Sequence, residues 1–118
     1  MDFRLFDLSN FNQQDFLYID PPYLIANADY NAGRTANLKW KEHDEIALYN
    51  YLDEANTLHI RWAMSNFLRH KNKTNPILEN WLNINNYNIY KINSNYINLT
   101  TKADRINDPT IEVVITNY

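Results

Sequence analysis

The 118-residue chain contains no cysteine, one glycine and four prolines. The absence of cysteine excludes a disulfide framework, a thiolate metal site and a thiol nucleophile. So little glycine and proline excludes collagen-like or linker character. No apolar run approaches the roughly 18 residues that would span a bilayer, and the start Met1–Arg4 lacks the basic stretch and apolar run of a signal peptide. We therefore expect a cytoplasmic protein without membrane association.

The composition is that of one small folded domain, which we place over residues 1–118. Hydrophobic residues make up 45% of the chain and aromatic residues 14%, which is enough to bury a core without covalent cross-links. The 11 basic and 14 acidic side chains give a net charge of −3, so the overall charge does not indicate a nucleic-acid partner. A local basic patch would still be sufficient to bind one.

The order of elements indicates an α/β protein. Residues Phe16–Ile19 form a short apolar run, typical of a strand buried on both faces of a sheet, and Pro21 and Pro22 end it. Together with the elements below, this run predicts a mixed sheet of about four strands with two main helices. The other predicted elements are a helix over Lys41–Ala55, a strand over Leu58–Met64 ending at Ser65–Asn66, a loop through Arg69–Lys73, a helix from Asn75–Pro76, and strands over Tyr87–Ile92 and Ile111–Thr116.

The string Asp20-Pro21-Pro22-Tyr23 directly follows the first strand, where ligands of open α/β sheets bind. These residues could bind a ligand that is a flat heterocycle with an exocyclic amine. The Asp20 carboxylate can accept one amine hydrogen, a Pro21 or Pro22 carbonyl can accept another, and the Tyr23 ring can stack on the base. The alternative is a Pro-Pro turn that simply ends the strand.

The segment Asp15–Tyr23 resembles the catalytic motif of the amino-group DNA methyltransferases in its D-P-P-Y form, and the adenine-specific, Dam-type class is the most similar. Tyr30-Asn31, Ala63–Asn66 and Glu112–Tyr118 are similar to segments of that class in the same order. The resemblance covers nearly the whole chain. It implies the C-terminal half of a Rossmann-like, S-adenosylmethionine-dependent methyltransferase fold.

The resemblance also implies a reaction: methyl transfer from S-adenosylmethionine to the exocyclic amine of an adenine flipped out of double-stranded DNA. It assigns catalysis to Asp20, Pro21, Pro22 and Tyr23, cofactor contact to Asp20, and base stacking to Tyr23. Methylation of a cytosine carbon uses a cysteine nucleophile and is excluded here. Methylation of the cytosine amine is the less favoured interpretation, because the motif of the enzymes that catalyse it more often begins with serine.

The chain departs from the family pattern in its glycine content. The family's N-terminal half carries an F-x-G-x-G cofactor loop, where the close approach of backbone and cofactor requires glycine, whereas this chain has only Gly33. We therefore expect weak or absent S-adenosylmethionine binding and little activity by the chain alone. We expect a companion chain that carries the F-x-G-x-G half. From the open edge of the Phe16–Ile19 strand we also expect a homodimer or an aggregation-prone monomer. The alternative is a non-catalytic remnant or subunit that binds DNA or a companion chain.

Further substrate contacts are expected from aromatic, polar and basic side chains. Residues 61–78 contain no acidic side chain, so their cations are candidates for phosphate contacts, with a solvated loop as the equal alternative. The spacing of the three histidines does not match a metal site, so no metal is expected. The tryptophans Trp40, Trp62 and Trp81 are predicted to lie in the core. The predicted substrate-binding residues are Tyr23, Tyr30, Ser65, Asn66, Arg69, Lys71 and Lys73.

Overall fold

The structure, a computed structural model, describes residues 3–22, 40–70, 73–92 and 110–118. Predicted site residues Tyr23, Tyr30 and Lys71 lie outside these ranges. Two short 3-10 helices, Phe3–Leu5 and Leu8–Asn10, come before the first strand. The elements that follow are β1 (Phe16–Ile19), α1 (Glu42–Thr57), β2 (Arg61–His70), β3 (Lys73–Thr74), α2 (Pro76–Ile84), β4 (Asn88–Lys91) and β5 (Ile111–Thr116).

The strands form one mixed sheet in the order β1-β2-β5-β4, and β3 pairs with the end of β2. β1 runs parallel to β2, while the pairs of β2 with β5, β4 with β5 and β2 with β3 are antiparallel. Both main helices pack on this sheet through one hydrophobic core. The predicted α/β class is therefore confirmed, and the described residues form five strands, where about four were predicted. None of the helices in the described residues is long and apolar enough to cross a membrane.

Strand β2 differs from its predicted bounds at both ends. It begins at Arg61 and not at Leu58. At its other end it extends into the predicted Arg69–Lys73 loop, as far as His70. The extension has a tertiary cause, because β5 pairs with β2 from Ala63 as far as Arg69 and so supplies hydrogen-bond partners beyond the end of β1. Ser65 and Asn66 consequently lie within a strand and not at its end.

Strand β1 is less buried than predicted. Phe16 is 48% exposed and Tyr18 is 64% exposed. Their register partners in β2, Arg61 and Ala63, lie on the sheet face opposite Trp62, and α1 and α2 pack on the face of Trp62. The expectation of burial on both faces is therefore wrong. Among the described strands β1 pairs with β2 alone.

The core lies between the two helices and the centre of the sheet. Trp62 and Trp81 are 0% and 5% exposed, as predicted, whereas Trp40 is only half-buried. Trp81 stacks on Tyr49 with ring centroids 4.4 Å apart and lies 5.9 Å from Trp62. The aliphatic core residues are Leu8, Leu48, Leu52, Ala55, Ile60, Met64, Leu78, Val113 and Ile115.

A carboxylate on α1 ties this core to the start of β4. The Trp81 indole N–H donates to both oxygens of Asp53, at 2.9 and 3.1 Å. The Tyr87 hydroxyl donates to Asp53 Oδ1 at 2.7 Å. Burial and the neighbouring Asp53 charge both raise the pKa of Tyr87, so its hydroxyl remains a donor.

Replacing Asp53 by alanine removes the acceptor that these two donors share. We expect the free energy of unfolding to fall by about 2 kcal/mol, because the buried Trp81 indole and the half-buried Tyr87 phenol lose their hydrogen-bond partner. Urea denaturation followed by tryptophan fluorescence measures the change. The control is Glu54→Ala at the next, exposed position, which should change stability by less than about 0.5 kcal/mol. Equal losses of stability in the two variants would show that the two hydrogen bonds to Asp53 do not stabilise the fold.

The turn between α1 and β2 contains the one non-glycine residue with a positive φ in the described chain, His59, with φ of 61°. A side chain with a Cβ is disfavoured in this left-handed region, so we expect His59→Gly to be more stable than His59→Ala by about 1 kcal/mol. Chemical denaturation of both variants measures the difference. Equal stability of the glycine and alanine variants would show that His59 carries no backbone strain.

Candidate functional site

The candidate site lies where β1 ends beside β2. Asp20 follows the last residue of β1 and is exposed, whereas Pro21 is buried and Pro22 is half-buried. Proline has no N–H to donate to a sheet, so the Pro-Pro pair stops the strand directly after Asp20. A carboxylate and two backbone carbonyls without neighbouring N–H donors are therefore held at the carboxyl end of a parallel strand pair.

The parallel register brings Asp20 beside Ser65. Ile19 pairs with Met64, so the next residue of each strand lies side by side on the sheet face away from α1. The Ser65 hydroxyl donates to Asp20 Oδ1 at 2.9 Å. Ser65 is 4% exposed, and a hydrogen bond to an ionised acceptor is stronger than one between neutral groups. An exposed carboxylate is thus oriented by a buried hydroxyl.

Asn66, the next residue of β2, points the other way. It is 0% exposed, and its Nδ2 donates to the Tyr49 hydroxyl of α1 at 3.2 Å. Its Oδ1 accepts the Phe67 backbone N–H at 2.8 Å. The structure therefore joins Ser65 to Asp20 and directs Asn66 into the interface between the sheet and α1.

Two of the predicted basic residues lie on one β-hairpin. Arg69 pairs with Thr74, and His70 pairs with Lys73. Lys73 is exposed and Arg69 is half-buried, while the His70 ring stacks on Phe67 with centroids 5.2 Å apart. Because a strand advances about 3.3 Å per residue, Arg69 lies about 13 Å along β2 from Ser65. The hairpin thus extends the strand that carries Ser65.

Sequence reasoning missed a buried acid on α1. Glu45 lies in the first turn of this helix, yet it is 0% exposed. Trp40 Nε1 donates to its Oε1 at 3.1 Å, and Asn75 Nδ2 donates to its Oε2 at 3.0 Å. The signal was present in the periodicity, because Glu45 precedes the core residues Leu48 and Leu52 by three and seven positions.

Comparison with known proteins agrees with the resemblance seen in the sequence. Residues 1–98 match the family of D12 class N6 adenine-specific DNA methyltransferases. The chain is 40% identical over 116 residues to the modification methylase StsI of Streptococcus sanguinis and 37% identical over 117 residues to the type II methyltransferase M.FokI of Planomicrobium okeanokoites. It is 34% identical over 112 residues to the modification methylase LlaI of Lactococcus lactis subsp. lactis.

These matches cover 98%, 99% and 92% of the present chain. They span only 18%, 18% and 17% of the respective relatives. The family match includes β1, the Asp20-Pro21-Pro22 segment and all of β2. Because the family match covers most of its residues, the chain belongs to the D12 class N6 adenine-specific DNA methyltransferase family.

Proposed function

We propose that this chain forms the base-binding side of a site that transfers a methyl group from S-adenosylmethionine to the N6 amine of adenine in double-stranded DNA. The hydrogen bond from Ser65 to Asp20 at the end of β1 carries the proposal. It orients an exposed carboxylate beside proline carbonyls, which is the acceptor set that an exocyclic amine requires.

The adenine amine has two N–H donors and a nitrogen lone pair that is conjugated with the ring. Asp20 accepts one N–H, and the carbonyl of Pro21 or Pro22 accepts the other, so the lone pair is drawn out of conjugation. S-adenosylmethionine supplies an electrophilic methyl group when it is bound. As the amine takes up this methyl group, its nitrogen would release one proton, and Asp20 or solvent would accept it.

Aromatic residues complete the proposed base pocket. Tyr23, which directly follows the two prolines, stacks on the extruded base, and Tyr30 lines the pocket behind it. Both residues lie outside the described ranges, so their roles rest on the match to the family motif. Asp20 also contacts the cofactor, whose binding to this chain alone is weak because Gly33 is the single glycine.

The basic hairpin provides the proposed contact to the DNA backbone. Arg69 and Lys73 lie on the continuation of the strand that holds Ser65, and Lys71 lies between them in sequence. Phosphate contacts of this kind position a protein on the duplex without reading its sequence. Such a local patch allows DNA binding despite the net charge of −3. Access to DNA also agrees with the expected cytoplasmic location.

The other side of the site is proposed to come from a further polypeptide segment. The chain spans only about a sixth of the relatives it matches, 18% for the StsI methylase. Within the described residues β1 has an open edge with unpaired backbone groups. We propose that a segment bearing the F-x-G-x-G loop pairs there, either from a companion chain or from a longer form of the same protein. A homodimer through this edge is the alternative assembly.

The function is tested by transfer of labelled methyl groups from S-adenosylmethionine to mixed-sequence duplex DNA. We expect little label with the chain alone and label in adenine when the segment bearing the F-x-G-x-G loop is added. Asp20→Ala should abolish the label, because the amine loses its main acceptor, while Glu54→Ala on the exposed face of α1 should retain it. Label in cytosine, or label that survives Asp20→Ala, would contradict the proposal.

A binding experiment on the chain alone examines the same site without methyl transfer. Titration with adenosine, followed by NMR, should shift the Ser65 amide signal. N6,N6-dimethyladenosine is the matched control, because it keeps the ring but has no N–H to donate to Asp20. Equal shifts with the two ligands would remove the proposed role of Asp20, whereas no shift with either would favour the non-catalytic alternative.

The DNA contact is tested by the salt dependence of binding. Each neutralised phosphate contributes about 0.9 to the slope of log K against log salt, so Lys73→Gln should reduce this slope by about 0.9. Fluorescence anisotropy with a labelled duplex measures it. The control is Lys91→Gln, an exposed lysine on β4 at the other end of the sheet. If both variants change the slope equally, the hairpin is not the contact surface.

A further inference from the structure

Glu45 is a buried carboxylate to which the proposed reaction assigns no role. Within the described part of the chain its carboxylate accepts hydrogen bonds from two neutral donors, Trp40 Nε1 and Asn75 Nδ2. No ion pair of the described residues involves it. Burying a charge without a cation is costly, so its environment must compensate through hydrogen bonds. Burial raises the pKa of Glu45, and these hydrogen bonds oppose that rise.

The orientation of the Asn75 amide makes an acceptor necessary at this position. Asn75 Oδ1 accepts the Leu78 backbone N–H at 3.1 Å as the cap of α2, so its NH₂ group must face Glu45. The Trp40 indole can only donate. A carboxylate accepts from both side chains, whereas a glutamine would present its own NH₂ group to one of these two donors.

The donors to Glu45 connect α1 with β2, the strand that carries Ser65. Asn75 directly follows β3, and its backbone N–H donates to the Leu68 carbonyl of β2 at 3.1 Å, which closes the basic hairpin. Leu68 lies three residues from Ser65, and Ser65 orients Asp20. Trp40 comes just before α1.

We propose that Glu45 is a positioning residue of the methyl-transfer site. Its carboxylate fixes Asn75, and Asn75 holds Leu68 of β2, so Glu45 sets the position of Ser65 in the same strand and of the carboxylate that Ser65 orients. Through Asn75 it also holds the basic hairpin in register with the same strand. This role rests on the proposed function of Asp20.

The test compares Glu45→Gln with Glu54→Gln, an identical change at an exposed position of the same helix. NMR of the full 118-residue chain follows the Trp40 indole N–H, the Ser65 amide and the Asp20 carboxyl carbon. In Glu45→Gln we expect an upfield shift of the indole proton, since its bond to a charged acceptor is lost, together with shifts at Ser65 and Asp20. Glu54→Gln should leave all three signals at their wild-type positions.

A purely structural role for Glu45 would give a different pattern. The melting temperature would fall and the Trp40 signal would move, but Ser65 and Asp20 would keep their wild-type signals in the folded variant, and that result overturns the proposal. If Glu45→Gln does not fold, Trp40→Phe replaces it, because this change removes one donor and keeps a ring against Phe3. If the Ser65 and Asp20 signals of Trp40→Phe shift from their wild-type positions, the proposal is supported, and unchanged signals overturn it.

A kinetic measurement separates this inference from the proposed function. With the segment bearing the F-x-G-x-G loop present, we expect Glu45→Gln to lower kcat by about 100-fold through misplacement of Asp20, with KM for DNA changed little. If Asp20→Ala is inactive while Glu45→Gln has full kcat, the proposed function stands and the positioning role falls. If Asp20→Ala stays active, the proposed function falls, and the NMR comparison alone decides whether Glu45 positions Ser65.

Discussion

The parallel pairing of β1 with β2 is the constraint on which the candidate site depends. This register sets Ile19 beside Met64, so Asp20 meets Ser65 on the sheet face away from the helices. A slip of one residue would exchange the two faces of the sheet. Asp20 would then lie beside Met64 or Asn66, whose side chains pack towards α1, and the buried hydroxyl that orients the carboxylate would be lost.

The best-packed part of the sheet and the candidate site lie in different places. The densest packing lies where α1 and α2 cover β2 and β5, and Leu48, Trp62 and Val113 there are fully buried. β1 is a four-residue strand with half-exposed side chains, so its position depends on β2. The site thus has one well-buried strand, β2, and one edge with unpaired backbone groups among the described strands. That asymmetry agrees with the proposed pairing of a further segment at this edge.

The face of α1 that packs on the sheet combines apolar packing with a polar cluster. Leu48 and Leu52 bury hydrocarbon, while Glu45 and Tyr49 on the same face connect to Asn66 and Asn75 by hydrogen bonds. Such a cluster is costly to bury unless each donor has an acceptor. Because hydrogen bonds are directional, this cluster fixes the position of β2 relative to α1 more sharply than apolar packing alone would.

Local patterns in the sequence determined the α/β class, the bounds of β1 and β5, the Asn75-Pro76 start of α2 and the motif at the end of β1, because these depend on neighbouring residues. Only the tertiary structure decided the extension of β2 along β5, the exposure of Phe16, the burial of Glu45 and the pairing of Ser65 with Asp20. Each of these depends on contacts between residues far apart in the chain. Periodicity shows which face of an element is apolar, but strand order and register decide what that face meets.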